Sequence, residues 1–314
     1  YMESPIHSVN WRHPEDAKEF KCQIPGNVPR EPSFCPSYRG QYFEEEIQRI
    51  ADHALMVGPH EYVLWDWEIA GSGMWLGKRC TRCQAAFKAS GLEWEAFVKR
   101  QTLEILDALN AAVRDGFAAK GWTPPELGMY NQDTVETYCG VFDFLQDKRL
   151  ELQSPSLYVG DDPGAVHDRI RAARERGGNN RIIPWLTTGT YGRVRPVSSR
   201  VMVWETLLNG AGGVTYFCFA DFNPAHTLEV SRALAAVAPL EDVIADGTPA
   251  HGEIRVHPGS IRHSAMRIGK HGGLLLANPG AEPCTAEWAW IGTNAAGRAT
   301  IFPGDAVLLD LQLR

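Results

Sequence analysis

Glu61-Tyr62-Val63-Leu64-Trp65-Asp66-Trp67-Glu68 follows the breaker Gly58-Pro59 and gathers aromatic, β-branched and aliphatic residues into a run too short for a helix. It reads as a strand that ends in acids. Ahead of it Phe43, Ile47, Ile50, Ala51 and Ala54 recur at helical spacing, so the local order is helix, turn, strand. The same alternation continues downstream. A long helix is expected over about 83–116, a strand over 127–131 after Pro124-Pro125, a strand over 156–160 and a helix over 162–175. A strand over 181–187, a helix over 199–209, a strand over 214–219 and a helix over 227–237 complete the series.

Strands alternating with helices imply βαβ units and a parallel core. An open doubly wound sheet would carry a glycine-rich phosphate loop after its first strand, and this chain has none. Four of the five strands instead end in polar or aromatic residues: 66–68, Tyr130 with Asn131, Asp161 with Asp162, and 185–188. A TIM barrel places its chemistry at such C-terminal strand ends. Beyond Gly247 the helical pattern gives way to short alternating runs at 264–268, 273–277, 286–291 and 306–311, the signature of a small antiparallel β domain. The expected α/β fold is therefore the C-terminal part of a (β/α)8 TIM barrel over 36–248, followed by an antiparallel β-sandwich over 249–314. Residues 1–35 read as a loop or a cut end. Because a full barrel takes about 250 residues, three further βα units are expected upstream of Tyr1.

The 314 residues are 44% apolar and 22% charged, with a formal charge of −7 and no basic run. That balance suits a globular fold and excludes nucleic acid or an anionic membrane surface as the main partner. No stretch approaches the roughly 20 apolar residues of a membrane-spanning helix, so membrane insertion is not expected. The first ten residues lack a signal-peptide pattern, and localisation stays open.

Alternation along the strand turns Asp66 and Glu68 to one side and the tryptophans to the other. Two carboxylates aimed into one cleft repel, and a raised pKa on one of them is what general acid catalysis needs. Asp161-Asp162 forms a second acidic pair, although Asp162 before Pro163 also reads as a helix N-cap. Carboxylates from two strand ends suit hydrolysis of a glycosidic bond. A separation of about 5–5.5 Å would indicate retention of configuration, and ~6.5–9.5 Å inversion. Trp75, Tyr130, Trp185, Tyr191 and Phe222 supply flat faces for a carbohydrate substrate, and Asn131, Thr187, Arg193 and Asp221 supply partners for its hydroxyls. Trp204 and Glu205, inside a helix, read as scaffold.

Seven cysteines are too few for a disulfide framework. Cys80-Thr81-Arg82-Cys83 is half of a zinc site, which Cys35 and Cys22 from the preceding loop could complete as a structural zinc; free or paired thiols are the alternative. No H-E-x-x-H or G-x-S-x-G motif occurs, so neither a catalytic metal of that type nor a nucleophilic-elbow serine is expected.

The run from Cys80 to Phe87, with Gly91, Trp94 and Phe97 beyond it, resembles the cysteine-bearing loop of bacterial β-galactosidases of glycoside hydrolase family 42, where such cysteines hold zinc. That family's pattern has a further Cys two positions before Cys80, where this chain has Lys78. Its catalytic pair, a Glu after Asn on the fourth strand and a Glu after the seventh, has no intact counterpart here. Counting back from 214–219 as the eighth strand places Asp66 and Glu68 on the fourth and Asp161 and Asp162 on the sixth. That placement is similar to the α-galactosidase-like clan, and the resemblance implies Asp66 as nucleophile and Asp161 or Asp162 as acid/base. The expected activity is glycoside hydrolysis, with a retaining pathway favoured. A non-catalytic carbohydrate-binding barrel and an interaction scaffold are the alternatives, the first favoured by the absence of a Glu in 182–188.

Overall fold

The computed structural model describes residues 2–3, 9–26, 34–66, 78–132, 150–177, 180–190, 192–217 and 221–314. The chain divides into two compact units, 1–154 and 155–314.

The first unit is built on parallel strands β1 (Met2–Glu3), β2 (Tyr62–Asp66) and β3 (Glu126–Gln132). β2 lies between the other two, with Leu64 beside Met2 and Gly128, and Asp66 beside Tyr130. Val63, Leu64 and Trp65 are all buried, which is why this strand reads as a continuous apolar run rather than an alternation. Gly128 is dictated by packing, since a Cβ there would fall 1.9 Å from Leu152 Cδ1 and 2.8 Å from Leu64 Cδ2. The helices are α1 (Val9–Arg12), α2 (Ala17–Phe20), α3 (Gln41–Val57), α4 (Thr81–Ser90) and α5 (Trp94–Ala119). α3 turns Phe43, Ile50 and Ala54 to the core, and α5 contributes Ile105, Leu106, Leu109, Val113 and Phe117. Buried polar groups in this layer are partnered: Trp65 Nε1 donates to Asn110 Oδ1 at 2.9 Å, and fully buried Glu46 pairs with Arg12 and Arg49 at 2.5 and 2.8 Å.

Two expectations change in this unit. The helix expected over 83–116 is the pair α4 and α5, because Gly91 takes a left-handed φ of +65° and caps α4. The segment 1–35, expected as loop or cut end, contributes β1, α1 and α2, elements too short to leave a periodic signal.

β4 (Leu152–Ser156) continues the parallel order β1-β2-β3, which runs on to β6 (Trp185–Leu186) and β7 (Thr215–Tyr216), with β5 (Arg181–Ile182) paired to β4. β5, β6 and β7 belong to the second unit. Ser156 lies beside Trp185, and Leu186 beside Tyr216. Their helices are α6 (Pro163–Gly177), α7 (Pro196–Leu208), α8 (Pro224–Val237) and α9 (Glu241–Asp246). The strand expected over 156–160 sits earlier, at β4, whose buried Gln153 and Ser154 disguise it. The strand expected over 181–187 is two short pieces, because Pro184 has no N–H for the ladder.

The same unit ends in an antiparallel sandwich. One sheet runs β14 (Ala306–Gln312), β11 (His271–Ala277), β10 (Arg262–Ile268), β8 (Thr248–Pro249); the other runs β13 (Ala296–Ile301), β12 (Cys284–Trp290), β9 (Ile254–His257). The two-residue period sorts β11 by face. Leu274 and Leu276 join Trp288, Trp290 and Ile301 inside the sandwich, whereas Leu275 and Ala277 pack with Trp204, Leu208 and Leu240 of the helical layer. The architecture is a partial TIM-type barrel, mostly parallel and flanked by helices, followed by a β-sandwich.

Candidate metal centre and strand-end residues

Four cysteines from three stretches of the first unit converge. Cys22 lies just after α2, Cys35 follows the bridge between Lys21 and Phe34, Cys80 is the N-cap of α4 and Cys83 lies in its first turn. All four are buried, and their sulfurs lie within 4.8 Å of one another. Cys35 Sγ is 3.8 Å from Cys80 Sγ and 3.4 Å from Cys83 Sγ, far beyond the ~2.05 Å of a disulfide bond. Backbone contacts hold the segments in place: Thr81 N donates to Gln23 O at 2.9 Å, Cys35 N to Phe20 O at 2.8 Å, and Gln23 N to Cys80 Sγ at 3.2 Å.

The electrostatics favour thiolate at the helix end. The N-terminus of α4 presents its N–H groups and dipole to Cys80 and Cys83. Contact with Cys22 pulls both of these thiols down, while contact with Cys35 pushes Cys22 up. Burial lowers the Arg39 guanidinium, and Glu104, Cys35 and Cys83 work against that fall. The sequence pattern singled out Cys35, Cys80 and Cys83 first, and Cys22 supplies the fourth sulfur. Lys78, at the position of the family's extra cysteine, places its Nζ 5.9 Å from the Trp94 ring centroid.

The strand ends are described unit by unit. In the first, Asp66 ends β2 half-buried, in register with Tyr130 on β3. Asn131 follows Tyr130 on β3, and its side chain lies outside the described residues, as do Glu68 and Trp75. In the second unit Asp161 accepts from Arg195 N at 3.1 Å and from Arg195 Nε at 2.5 Å. Burial pushes the Asp161 carboxyl up, but the nearby Ser198 hydroxyl and the Arg195 backbone and guanidinium outweigh it and hold the group below the usual aspartate value. Asp162 caps α6, accepting from Gly164 N at 2.9 Å and Ala165 N at 3.1 Å. Thr187 is buried and accepts from Gly189 N and Thr190 N at 3.3 and 3.2 Å. Thr190 Oγ1 donates to Asp221, Phe222 meets Tyr216 edge-on at 4.6 Å, Trp185 is half-buried and Arg193 exposed. Tyr191 lies outside the described residues.

Sequence reasoning did not single out Arg195, whose partner Asp161 is 34 positions away. Nor did it find the buried polar cluster in which Glu205 Oε2 accepts from Ser264 Oγ at 2.7 Å and Asn209 Nδ2 at 3.1 Å and lies 3.0 Å from His167 Nδ1. Trp204 Nε1 donates to Ala233 O at 3.1 Å. Both Trp204 and Glu205 serve the packing of α7.

No protein-family model matches this sequence, and no curated protein matches it. Solved structures do. The cyclic α-maltosyl-(1→6)-maltose hydrolase of Arthrobacter globiformis in its ligand-free form is 11% identical, with a TM-score of 0.53 over 98% of this chain and 70% of that one. Amy13B of Eubacterium rectale is 10% identical, with a TM-score of 0.52 over 97% of this chain and 73% of that one. Likeness at such low identity is a likeness of fold. This chain shares, distantly and in part, the (β/α)-barrel fold of these structures.

Proposed function

We propose that this protein is a glycoside hydrolase acting on an oligo- or polysaccharide, with Asp66 as one of its reacting carboxyl groups. The observation that carries the reading is a half-buried acid at the C-terminal end of a parallel strand whose three central residues are buried, with a tyrosine beside it on the next strand. Fold likeness to a maltosyl-maltose hydrolase adds support by analogy. The chemistry requires one carboxyl that donates a proton to the leaving oxygen and one that is ionised. Asp161, held below the usual aspartate value chiefly by Ser198 and Arg195 against its burial, suits an ionised role. Asp162 is engaged as a cap, and its contribution is the first turn of α6. Asp66 and Glu68 are then the candidates for the proton donor, and retention of configuration is the favoured outcome.

We further infer that Cys22, Cys35, Cys80 and Cys83 hold a structural zinc. A tetrahedron with Zn–S of about 2.3 Å has S–S edges near 3.8 Å, and the sulfur separations of 3.8 and 3.4 Å suit it. Four protein ligands leave no open position, so the ion would tie segments together rather than take part in the reaction.

The test is turnover on α- and β-linked aryl glycosides and oligosaccharides, with the product anomer read by NMR. Asp66→Asn is expected to lower kcat by roughly 100- to 10,000-fold. Wild-type turnover in Asp66→Asn, Glu68→Gln and Asp161→Asn alike would sink the assignment. The engagement of both Asp161 and Asp162 by protein partners favours a second reading, a barrel that binds saccharide without cleaving it. Binding measurable by calorimetry with no turnover would select that reading.

A further inference from the structure

The loop after β4 that carries Asp161 and Asp162 is buttressed by the β-sandwich on both sides. Beside Asp162, the Arg262 guanidinium of β10 lies over Gly164 in the first turn of α6, where a Cβ would come within 2.2 Å of Arg262 Nη2. Beside Asp161, the guanidinium of Arg195 lies against Gly304, in the turn between β13 and β14. A Cβ on Gly304 would fall 2.7 and 3.1 Å from the two terminal nitrogens of Arg195. From the other side the same guanidinium donates through Nε to Asp161 Oδ2 at 2.5 Å.

The turn is held firmly enough to act as a wall. Gly304 N donates to Asn278 O at 2.9 Å, and Asn278 N donates to Asp305 O at 3.0 Å. Asn278 is itself buried, and its Nδ2 donates to Ile301 O at 3.0 Å and Glu282 O at 2.8 Å. Asp305 accepts from Arg200 Nη2 at 2.8 and 3.1 Å, which fastens the turn to α7 a little more than one helical turn beyond Arg195. Gly304 has φ +67°, a left-handed conformation that glycine takes without penalty. The backbone therefore selects glycine at this position, and the missing Cβ leaves the space that the Arg195 guanidinium occupies.

We propose that Gly304 is a positioning residue: the sandwich turn seats the Arg195 guanidinium against Asp161, so that the β-sandwich sets the orientation of a carboxylate in the loop after β4. An arginine side chain loses rotamer freedom when it is fixed, and a wall on one side removes alternatives before the ion pair forms. If a Cβ is added, the guanidinium is the movable partner and swings away from Asp161. This extends the reading of Asp161 as an ionised group of the proposed hydrolase, while the seat itself is a property of the second unit alone.

The experiment is a carboxyl-carbon NMR titration of Asp161 in the whole protein, with Arg195→Met as the reference for a lost partner. Gly304→Ala and Gly304→Asn are both expected to move the Asp161 midpoint upward, in the direction of Arg195→Met. Asparagine tolerates the left-handed conformation, so Gly304→Asn adds the Cβ with little backbone strain and remains informative if Gly304→Ala fails to fold. Gly269→Ala carries comparable strain at φ +54° with no atom within 4 Å of its Cβ, and it is expected to leave Asp161 unchanged. Folded Gly304 variants whose Asp161 titrates as in wild type would overturn the proposal, as would an unmoved midpoint in Arg195→Met. Glycoside turnover measured in parallel keeps the two readings apart: an inactive wild type defeats the hydrolase assignment and leaves the titration result standing.

Discussion

Replacing Cys22 with serine tests the four-sulfur centre most directly. In a chain-entropy picture, tying Cys35 to Cys80, 45 positions apart, restricts the unfolded chain by about 4 kcal/mol, and the shorter tie from Cys22 to Cys35 adds about 3 kcal/mol. These are upper values. A typical domain has only about 5–15 kcal/mol of net stability, so the two ties together are comparable with the whole margin. Cys22→Ser removes the shorter tie and weakens the rest, whereas a Cys80→Ser/Cys83→Ser variant removes both. A loss of about 4 kcal/mol corresponds to a fall of roughly 8–16 °C in Tm for a unit of this size. The assay is metal content by plasma mass spectrometry together with thermal unfolding. The expected result is one zinc per wild-type chain, reduced occupancy and a lower Tm in Cys22→Ser, and neither change in a Cys284→Ser control, since Cys284 lies outside the cluster. Protein made in zinc-replete medium that carries no metal, with Cys22→Ser melting alongside wild type, would refute the reasoning.

Gly128→Ala is expected to destabilise the fold by about 1–3 kcal/mol through overpacking against Leu152 and Leu64. Adding Leu152→Ala should recover part of that loss in denaturant titrations, because the second change opens the space the first one fills. His271 is raised above its ordinary value, first by its hydrogen bond to Asp242 and also by Asp310. Its ion pairs therefore stabilise the folded state below the unfolded histidine pKa of about 6.5, and the contribution fades as pH rises through the raised folded value. The Tm difference between wild type and His271→Gln should be largest near pH 5–6 and shrink on the alkaline side; a difference that does not vary with pH would contradict the sign.

Most of the fold is legible in local pattern because burial on both faces and helical periodicity write themselves into neighbouring residues. β2 is readable from its own residues, and α3 from apolar positions on one face. The misreadings have particular causes. Gly91 breaks a helix at a point where the apolar spacing alone continues. β4 buries Gln153, Ser154 and Ser156, polar residues that a hydropathy reading assigns to loop, so the strand is sought a few residues late. α7 buries nearly every residue from Ser198 to Leu208, and its amphipathic signal vanishes. β1 is two residues long and exists only through its pairing with β2.

The functional residues divide along the same line, between interactions closed within one helical turn and those closed across the fold. The Asp162 cap involves Gly164 and Ala165, so Asp-Pro at a helix start predicts it from sequence. Cys80 and Cys83 are equally local. Cys22 is not, because what brings it to them is a set of backbone bonds between Gln23 and the start of α4, which no spacing rule contains. Asp161 is the instructive case: its neighbours in sequence describe an acid at a strand end, yet its charge state is set by burial against the Ser198 hydroxyl and Arg195, and the seat of Arg195 by a glycine more than a hundred residues further on. The partners that an acid meets in the folded chain therefore bear on whether it can donate a proton near neutral pH. For that reason the proton-donating role in the proposed reaction falls to Asp66, at the end of β2, or to Glu68, and the pH dependence of Asp66→Asn turnover carries more weight than that of any variant at Asp161.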